Sequence, residues 1–303
     1  MRGQDLLEKI EGIDPAYVEA ADAKPKAARR WVKWGALAAC AVLALAGFGI
    51  LRQPYAPKGG DDCIRVSENG VTIPEMKLSL SADAAADMIG FFIYQGRCYV
   101  QYERIDHPQS IVGDYLGTAT GLIDEWTPKE GYVELAGSVA GDFYAVEGYD
   151  PAFLLCMKEE DGAVSTYLCN TGITLKYGSE LYEDRLHLLE NYEAILSETP
   201  ASWFDSKGER YPVEDSRGVV DSFLAQLNAA EFMPWSQVAL DDSMLYLVTF
   251  RMKNGTTVSL LLYENGYVRF AGVSEVCVQI PQDTFRSLIR LLENPVGEAA
   301  QSS

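Results

Sequence analysis

Apolar and polar positions divide this chain into one long uncharged run followed by many short periodic segments. Trp34 to Leu51 is eighteen residues without a charge. As a helix it rises roughly 27 Å, close to the ~30 Å of bilayer hydrocarbon. From Cys63 to about Asn170 the pattern is β. Met88 to Tyr94 predicts a strand, Gln95-Gly96-Arg97 a turn, and Cys98 to Ile105 a returning strand. In that strand Cys98, Val100 and Tyr102 face one way and Tyr99, Gln101 and Glu103 the other. Tyr115 to Gly121, Tyr132 to Ala136 and Phe143 to Gly148 predict further short strands, and Phe153 to Lys158 with Val164 to Leu168 a hairpin around Glu160-Asp161-Gly162.

The second half carries stronger periodicity. Ser179 to Leu189 predicts a helix capped by Ser179, and 190–214 reads as irregular. Val219, Val220, Phe223, Leu224 and Leu227 recur at helical spacing, which predicts an amphipathic helix over Ser216 to Glu231. Met244 to Lys253 alternates as a strand. Asn254-Gly255 and Asn265-Gly266 then read as two-residue turns into Thr256 to Glu264 and Tyr267 to Ala271. That register places Val248, Leu261 and Phe270 in one row and Tyr246, Tyr263 and Val268 in the next. Cys277 to Ile280 adds a fourth strand, and Gln282 to Glu293 a helix with a Phe285, Leu288, Ile289 and Leu292 stripe. The expected fold is α+β: an N-terminal transmembrane helix, then a β-rich outer part with antiparallel sheets, ending in a helix–four-strand meander–helix module. The expected division is 1–30 arm, 31–52 transmembrane helix, 53–62 Pro/Gly linker, 63–178 and 179–295 as two outer parts, and 296–303 as a disordered tail.

Charge orients the long run. Lys24, Lys26, Arg29, Arg30 and Lys33 precede it, whereas Arg52 and Lys58 follow, so the N-terminus is expected inside and the C-terminus outside. Trp31, Lys33, Trp34 and Arg52 are the expected membrane-interface residues. Ala44-Leu45-Ala46 resembles a signal-peptidase site, but the region before the apolar run is over thirty residues long, so an uncleaved anchor is the preferred reading. Leu37-Ala38-Ala39-Cys40 resembles a lipid-attachment box, yet it precedes its apolar run instead of following it. Ala36, Cys40 and Ala44 form a small-residue ladder of the kind that packs two helices. The basic cluster meets the bilayer's anionic lipid.

Residues 1–52 hold eight Lys and Arg against six Asp and Glu; the rest of the chain holds 17 against 38, a net −21. So acidic an exterior argues against nucleic acid as a partner, which requires a basic footprint. Five cysteines follow the anchor: Cys63, Cys98, Cys156, Cys169 and Cys277. They show no CxxC or zinc spacing. They read as small buried apolar side chains with at most two disulfides among them.

Within the arm, Leu6, Leu7 and Ile10 suggest one short helix, and Asp14-Pro15 opens a second over Ala16 to Asp22. The combination DLLEKIEGIDPAYVEAA (5–21), a basic linker and WGALAAC (34–40) resembles a group of single-pass envelope proteins of Gram-positive bacteria with anti-sigma-factor-like cytoplasmic arms. NTGITLKYGSELYEDRLHLLENY (170–192) and SWFDSKGE (202–209) resemble the same group. The resemblance implies an anchored envelope protein whose arm meets a cytoplasmic protein. It implies no catalytic residue.

Catalytic chemistry has little to stand on. The two histidines, His107 and His187, are far apart in sequence and read as structural. No nucleophile elbow, zincin, P-loop or dinucleotide fingerprint occurs, and no cofactor is expected. Asp61-Asp62, Glu159-Glu160-Asp161 and Asp241-Asp242 sit at predicted turns or linkers and lack EF-hand spacing. Trp126, Trp203 and Trp235 offer stacking faces or core. Asn254-Gly255-Thr256 fits a glycosylation sequon that turn chemistry already explains. The expected function is therefore a membrane-anchored extracytoplasmic binding or sensing protein, with the bilayer, a cytoplasmic partner through 1–30 and a wall or surface ligand as partners. A passive adhesin or glycan-binding module, and a cell-wall hydrolase using paired carboxylates, are the alternatives.

Overall fold

Antiparallel pairing organises the chain beyond the arm. The computed structural model describes residues 63–76, 89–106, 108, 111–121, 133–189, 191–215, 218–238, 243–293 and 300–301. The arm, the 31–52 segment, the linker and the interface residues Trp31, Lys33, Trp34 and Arg52 lie outside them. Among the described residues no helix is long and apolar enough to cross a membrane.

In chain order the strands are β1 (Arg65–Ser67), β2 (Gly70–Ile73), β3 (Phe91–Tyr94), β4 (Arg97–Ile105), β5 (Val112–Thr120), β6 (Ala140–Val146), β7 (Leu154–Lys158), β8 (Val164–Leu168), β9 (Ile173–Leu175), β10 (Tyr192–Glu198), β11 (Glu209–Pro212), β12 (Phe232–Pro234), β13 (Met244–Met252), β14 (Thr257–Tyr263), β15 (Tyr267–Phe270), β16 (Val276–Gln279) and β17 (Ala300–Gln301). The helices are α1 (Ser179–Tyr182), α2 (Pro200–Phe204), α3 (Val219–Ala229) and α4 (Gln282–Leu292). The strands form a three-stranded sheet, β1-β2-β9, a six-stranded sheet, β3-β4-β8-β7-β6-β5, and an eight-stranded sheet, β12-β16-β15-β14-β13-β10-β11-β17.

The six-stranded sheet is covered on both faces. Leu154, Cys156 and Leu168 of its central strands enter the main core; their alternate neighbours Leu155, Met157 and Tyr167 enter a second cluster with Phe92, Tyr99 and Phe143. That is the period-two rule acting on strands too apolar to show it as polar alternation. The main core also takes Val71, Val248, Phe250, Leu260, Phe223 and Leu288, so one hydrophobic cluster runs through both 63–178 and 179–295. Helix α4 contributes Phe285, Leu288 and Leu292, each buried and each stabilising by about 1.5–3 kcal/mol. Helix α3 starts where the Asp215 carboxylate accepts from Val219 N and Val220 N at 3.0 and 2.6 Å. A side-chain oxygen there satisfies backbone donors that a helix start leaves open.

Several elements differ from the sequence expectation. The meander and its flanking helices form, but both of its turns are three-residue loops. Met252 N donates to Thr256 O at 2.8 Å, closing a loop over Lys253, Asn254 and Gly255. Gly255 holds φ +92 there, a region glycine enters without strain. Asn254 Oδ1 accepts from Thr256 N and Thr256 Oγ1, which tightens the loop. The register slips by one, so Val248 pairs Leu260 and Leu260 pairs Phe270, while Tyr246 pairs Leu262 and Leu262 pairs Val268. Leu261 and Tyr263 therefore leave the rows in which they were placed.

The helix expected over Ser179 to Leu189 stops at Tyr182, and His187 adopts φ +51. Ser179 is not its cap: Gly178 precedes the helix without a side-chain bond. Gly178 lies so close to α3 that an added Cβ would stand 1.8 Å from Leu227 O. Tyr132 to Ala136 is not a strand over its described part, because Leu135 turns at φ +63. Positions 190–214, expected irregular, hold β10, α2 and β11. Of the expected disordered tail, Ala300–Gln301 pairs with Glu209 and Arg210 on the outer edge of β11, whose backbone groups a short strand satisfies.

Candidate functional site

A cavity of about 340 Å³ opens where the three-stranded sheet meets the start of β4, the β6–β7 loop and the turn after α1. Among the described residues its charged lining is Arg97, Arg185, Glu75 and Asp150. Each comes from a different part of the chain.

Arg97 follows a tight turn. Gln95 and Gly96 take φ +52 and +70, and their N–H groups donate to the Glu134 carboxylate at 2.7 and 3.1 Å. The guanidinium then donates through Nη1 to Ala152 O at 3.1 Å. The β6–β7 loop that receives it is clamped: Ala152 N donates to Asp150 Oδ1 at 2.8 Å and the Tyr99 hydroxyl to Pro151 O at 2.9 Å. Arg185 stands on the turn after α1 and donates through Nη1 to Glu180 O. Glu75 is brought in by the β2–β9 pairing, for Gly172 N donates to Ile73 O and Pro74 O. The Glu75 Cγ then lies 3.0 Å from where a Gly172 Cβ would stand.

Neither Arg97 nor Arg185 makes an ion pair among the described residues. Glu75 makes neither an ion pair nor a hydrogen bond among them. Each guanidinium carries five N–H donors; Arg97 spends part of that capacity on Ala152 O and the Tyr99 hydroxyl, and Arg185 part of it on Glu180 O.

Cys98 and Cys169 form part of the wall. Burial pushes the Cys98 thiol up to about 12, with the neighbouring Cys169 adding to it. Burial also raises Cys169, against the opposing charges of Arg97 and Arg185. Both are protonated thiols at neutral pH and not nucleophiles. No disulfide joins Cys98, Cys156, Cys169 or Cys277, and all four are buried. Among the described residues no group of three His, Cys, Asp or Glu side chains is arranged to hold a metal.

The residues singled out from sequence do not converge here. His187 lies in a separate cavity of about 270 Å³ with Tyr149, its ring 5.3 Å from the tyrosine ring. His107, Trp126, Asp61-Asp62 and Asp241-Asp242 lie outside the described residues. Glu159-Glu160-Asp161 forms the β7–β8 turn, where Asp161 pairs with Arg104 and Glu159 accepts from Ser165. Trp235 is covered by the Arg269 guanidinium at 4.4 Å and by the Tyr263 ring at 4.6 Å. Trp203 is 41 % exposed beside Phe204 at 70 %.

Glu103, expected on one face with Tyr99 and Gln101, turns elsewhere. A β-bulge in β4 adds Tyr102 to the ladder between Gln101 and Glu103, so strict alternation fails there. Tyr102 and Glu103 consequently both reach Thr257 on the eight-stranded sheet. The Glu103 carboxylate accepts from Thr257 N at 3.0 and 3.2 Å and from Thr257 Oγ1 at 2.6 Å, while the Tyr102 hydroxyl donates to Thr257 O at 3.3 Å. Burial raises the carboxyl to about 7, against the lowering effect of these bonds. Its role is to join two sheets. Comparison with protein-family models, curated proteins and solved structures finds no match to this chain.

Proposed function

We infer that the chain is a membrane-anchored binding protein, with residues 1–30 inside, one span over 31–52, and the part from Cys63 onward outside, where the cavity at Arg97 and Arg185 takes up a small ligand. The observation that carries the binding half is the pair of guanidiniums, each held by a backbone carbonyl and neither ion-paired among the described residues, lining one cavity of about 340 Å³. That volume falls within the usual range of ligand pockets. The uncharged run and its flanking cations support the placement. The arm, resembling anti-sigma-factor-like arms, supports passage of a signal inward.

Two measurements test this. Protease added to intact cells should remove a C-terminal tag and spare an N-terminal one; the reverse pattern refutes the topology. Deleting residues 1–30, apart from the juxtamembrane cations, should leave the outer part folded and change the intracellular response; an unaltered transcriptome counts against signalling. The exposed Trp203–Phe204 pair, with ring centroids 5.1 Å apart, favours a second reading, a glycan-stacking surface. Trp203→Ala should then abolish retention on wall polysaccharide, whereas under the first reading it leaves ligand uptake intact.

A further inference from the structure

The charges of the cavity are specific enough to name a ligand class. Arg97 and Arg185 arrive from elements about ninety residues apart and each is steadied by a backbone carbonyl, Ala152 O and Glu180 O. Steadied guanidiniums with N–H donors to spare suit a carboxylate or a phosphate. The same lining holds two carboxylates, Glu75 and Asp150. Asp150 is spoken for, since its Oδ1 accepts from Ala152 N at 2.8 Å and shapes the loop that anchors Arg97. Glu75 is not: its stem rests against Gly172, and its oxygens have no partner among the described residues. Among the described residues the lining thus carries two positive and two negative groups.

This balance separates the ligand classes. A dianionic phosphate gains the two arginines but meets the repulsion of both carboxylates. A neutral sugar leaves the guanidiniums uncompensated, which costs affinity wherever the bound ligand displaces their water. A ligand with one carboxylate and one ammonium group satisfies both sets together. Resting on the binding reading above, we propose that the cavity takes a small zwitterion, a free amino acid or short peptide, with its carboxylate on Arg97 and Arg185 and its ammonium on Glu75. The opposed charges then set orientation as well as affinity, because turning the ligand end for end places like charges together.

The test uses the full chain in detergent micelles, titrated calorimetrically with L-alanine, L-alanyl-L-alanine, N-acetyl-L-alanine, L-alaninamide, inorganic phosphate and glucose. At least one of the two zwitterions should bind at least ten-fold more tightly than the acetylated or amidated compound. Arg97→Ala with Arg185→Ala should remove that binding. Glu75→Gln should erase the preference for the zwitterion over N-acetyl-L-alanine while leaving carboxylate binding in place. The gentler pair Arg97→Lys and Arg185→Lys, which keeps the charge and loses the fork, should weaken binding with an unchanged melting temperature, so that a folding defect is not mistaken for loss of the site. Tighter binding of phosphate, glucose or either blocked compound overturns the zwitterion assignment and leaves a binding cavity. Absence of heat from all six at millimolar concentration overturns the cavity reading with it.

Discussion

At the seam between the six- and eight-stranded sheets, Glu103 receives the backbone and hydroxyl donors of Thr257, while at the cavity Glu75, Arg97 and Arg185 stand without an ion pair among the described residues. Both places bring side chains together from distant parts of the chain. In the seam each polar group has its partner, because a buried donor or acceptor left open costs about 1–3 kcal/mol. In the cavity the two arginines are each held by a backbone carbonyl and keep donors to spare. Satisfied polar groups hold a fold together; ordered but unsatisfied ones are available to a ligand. The contrast turns on which donors are used, not on how many charges are present.

The sharpest way to break the contrast is at the seam. Glu103→Ala leaves Thr257 N–H without its carboxylate and should destabilise the part from Cys63 onward by about 1–3 kcal/mol, read as a lower melting temperature with ligand affinity intact in the protein that remains folded. The converse change comes next. Arg97→Ala with Arg185→Ala should cost ligand affinity at least about ten-fold, or ~1.4 kcal/mol, and lower the melting temperature less than Glu103→Ala does. Equal thermal losses in the two would erase the distinction.

A smaller effect concerns pH. The Glu103 carboxyl titrates near 4.5 when unfolded and about 7 in the fold. Between those values the folded state holds the proton more firmly, so its contribution to stability is full below 4.5 and is lost as pH rises through about 7. Glu103→Gln, which keeps an acceptor for Thr257, should remove that slope; melting curves of the two proteins between pH 4.5 and 7.5 give the difference. The smallest effect belongs to the exposed Arg104–Asp161 pair. Its Asp161 carboxyl is lowered first by the Ala163 N–H and then by Arg104, yet solvent and salt screen an exposed pair. Asp161→Asn should melt indistinguishably from the parent, and a clear loss there would mean that the turn carries more of the fold than the seam comparison allows.

Hydrophobic periodicity located the meander and the two long helices, although it overran the short helix that stops at Tyr182. The β13–β16 meander pairs strands that follow one another in sequence, and α3 with Val220, Phe223, Leu224 and Leu227 and α4 with Phe285, Leu288 and Leu292 carry their helical period within one segment each. Even there the loop length escaped, because Asn-Gly serves both two- and three-residue turns and only the closing bond Met252 N to Thr256 O decides between them. One residue of loop moved Leu261 to the other face. Strands β10 and β11 escaped because β10 hydrogen-bonds to β13, about fifty residues away, and nothing local marks that pairing.

The amino-acid order by itself determined the uncharged run, the cations before it, the acidic balance of the chain after residue 52, the β-rich character and the C-terminal helices. These are properties of composition and of periods two and 3.6, which a linear pattern carries. Only the tertiary structure decided that β2 pairs β9 across about a hundred residues, that a bulge turns Glu103 toward Thr257, and that Arg97, Arg185 and Glu75 face one cavity. The reason is that charge convergence depends on long-range pairing and on single-residue changes of register. A one-residue slip reverses the face of every side chain after it, so the site exists only once the ladders are set.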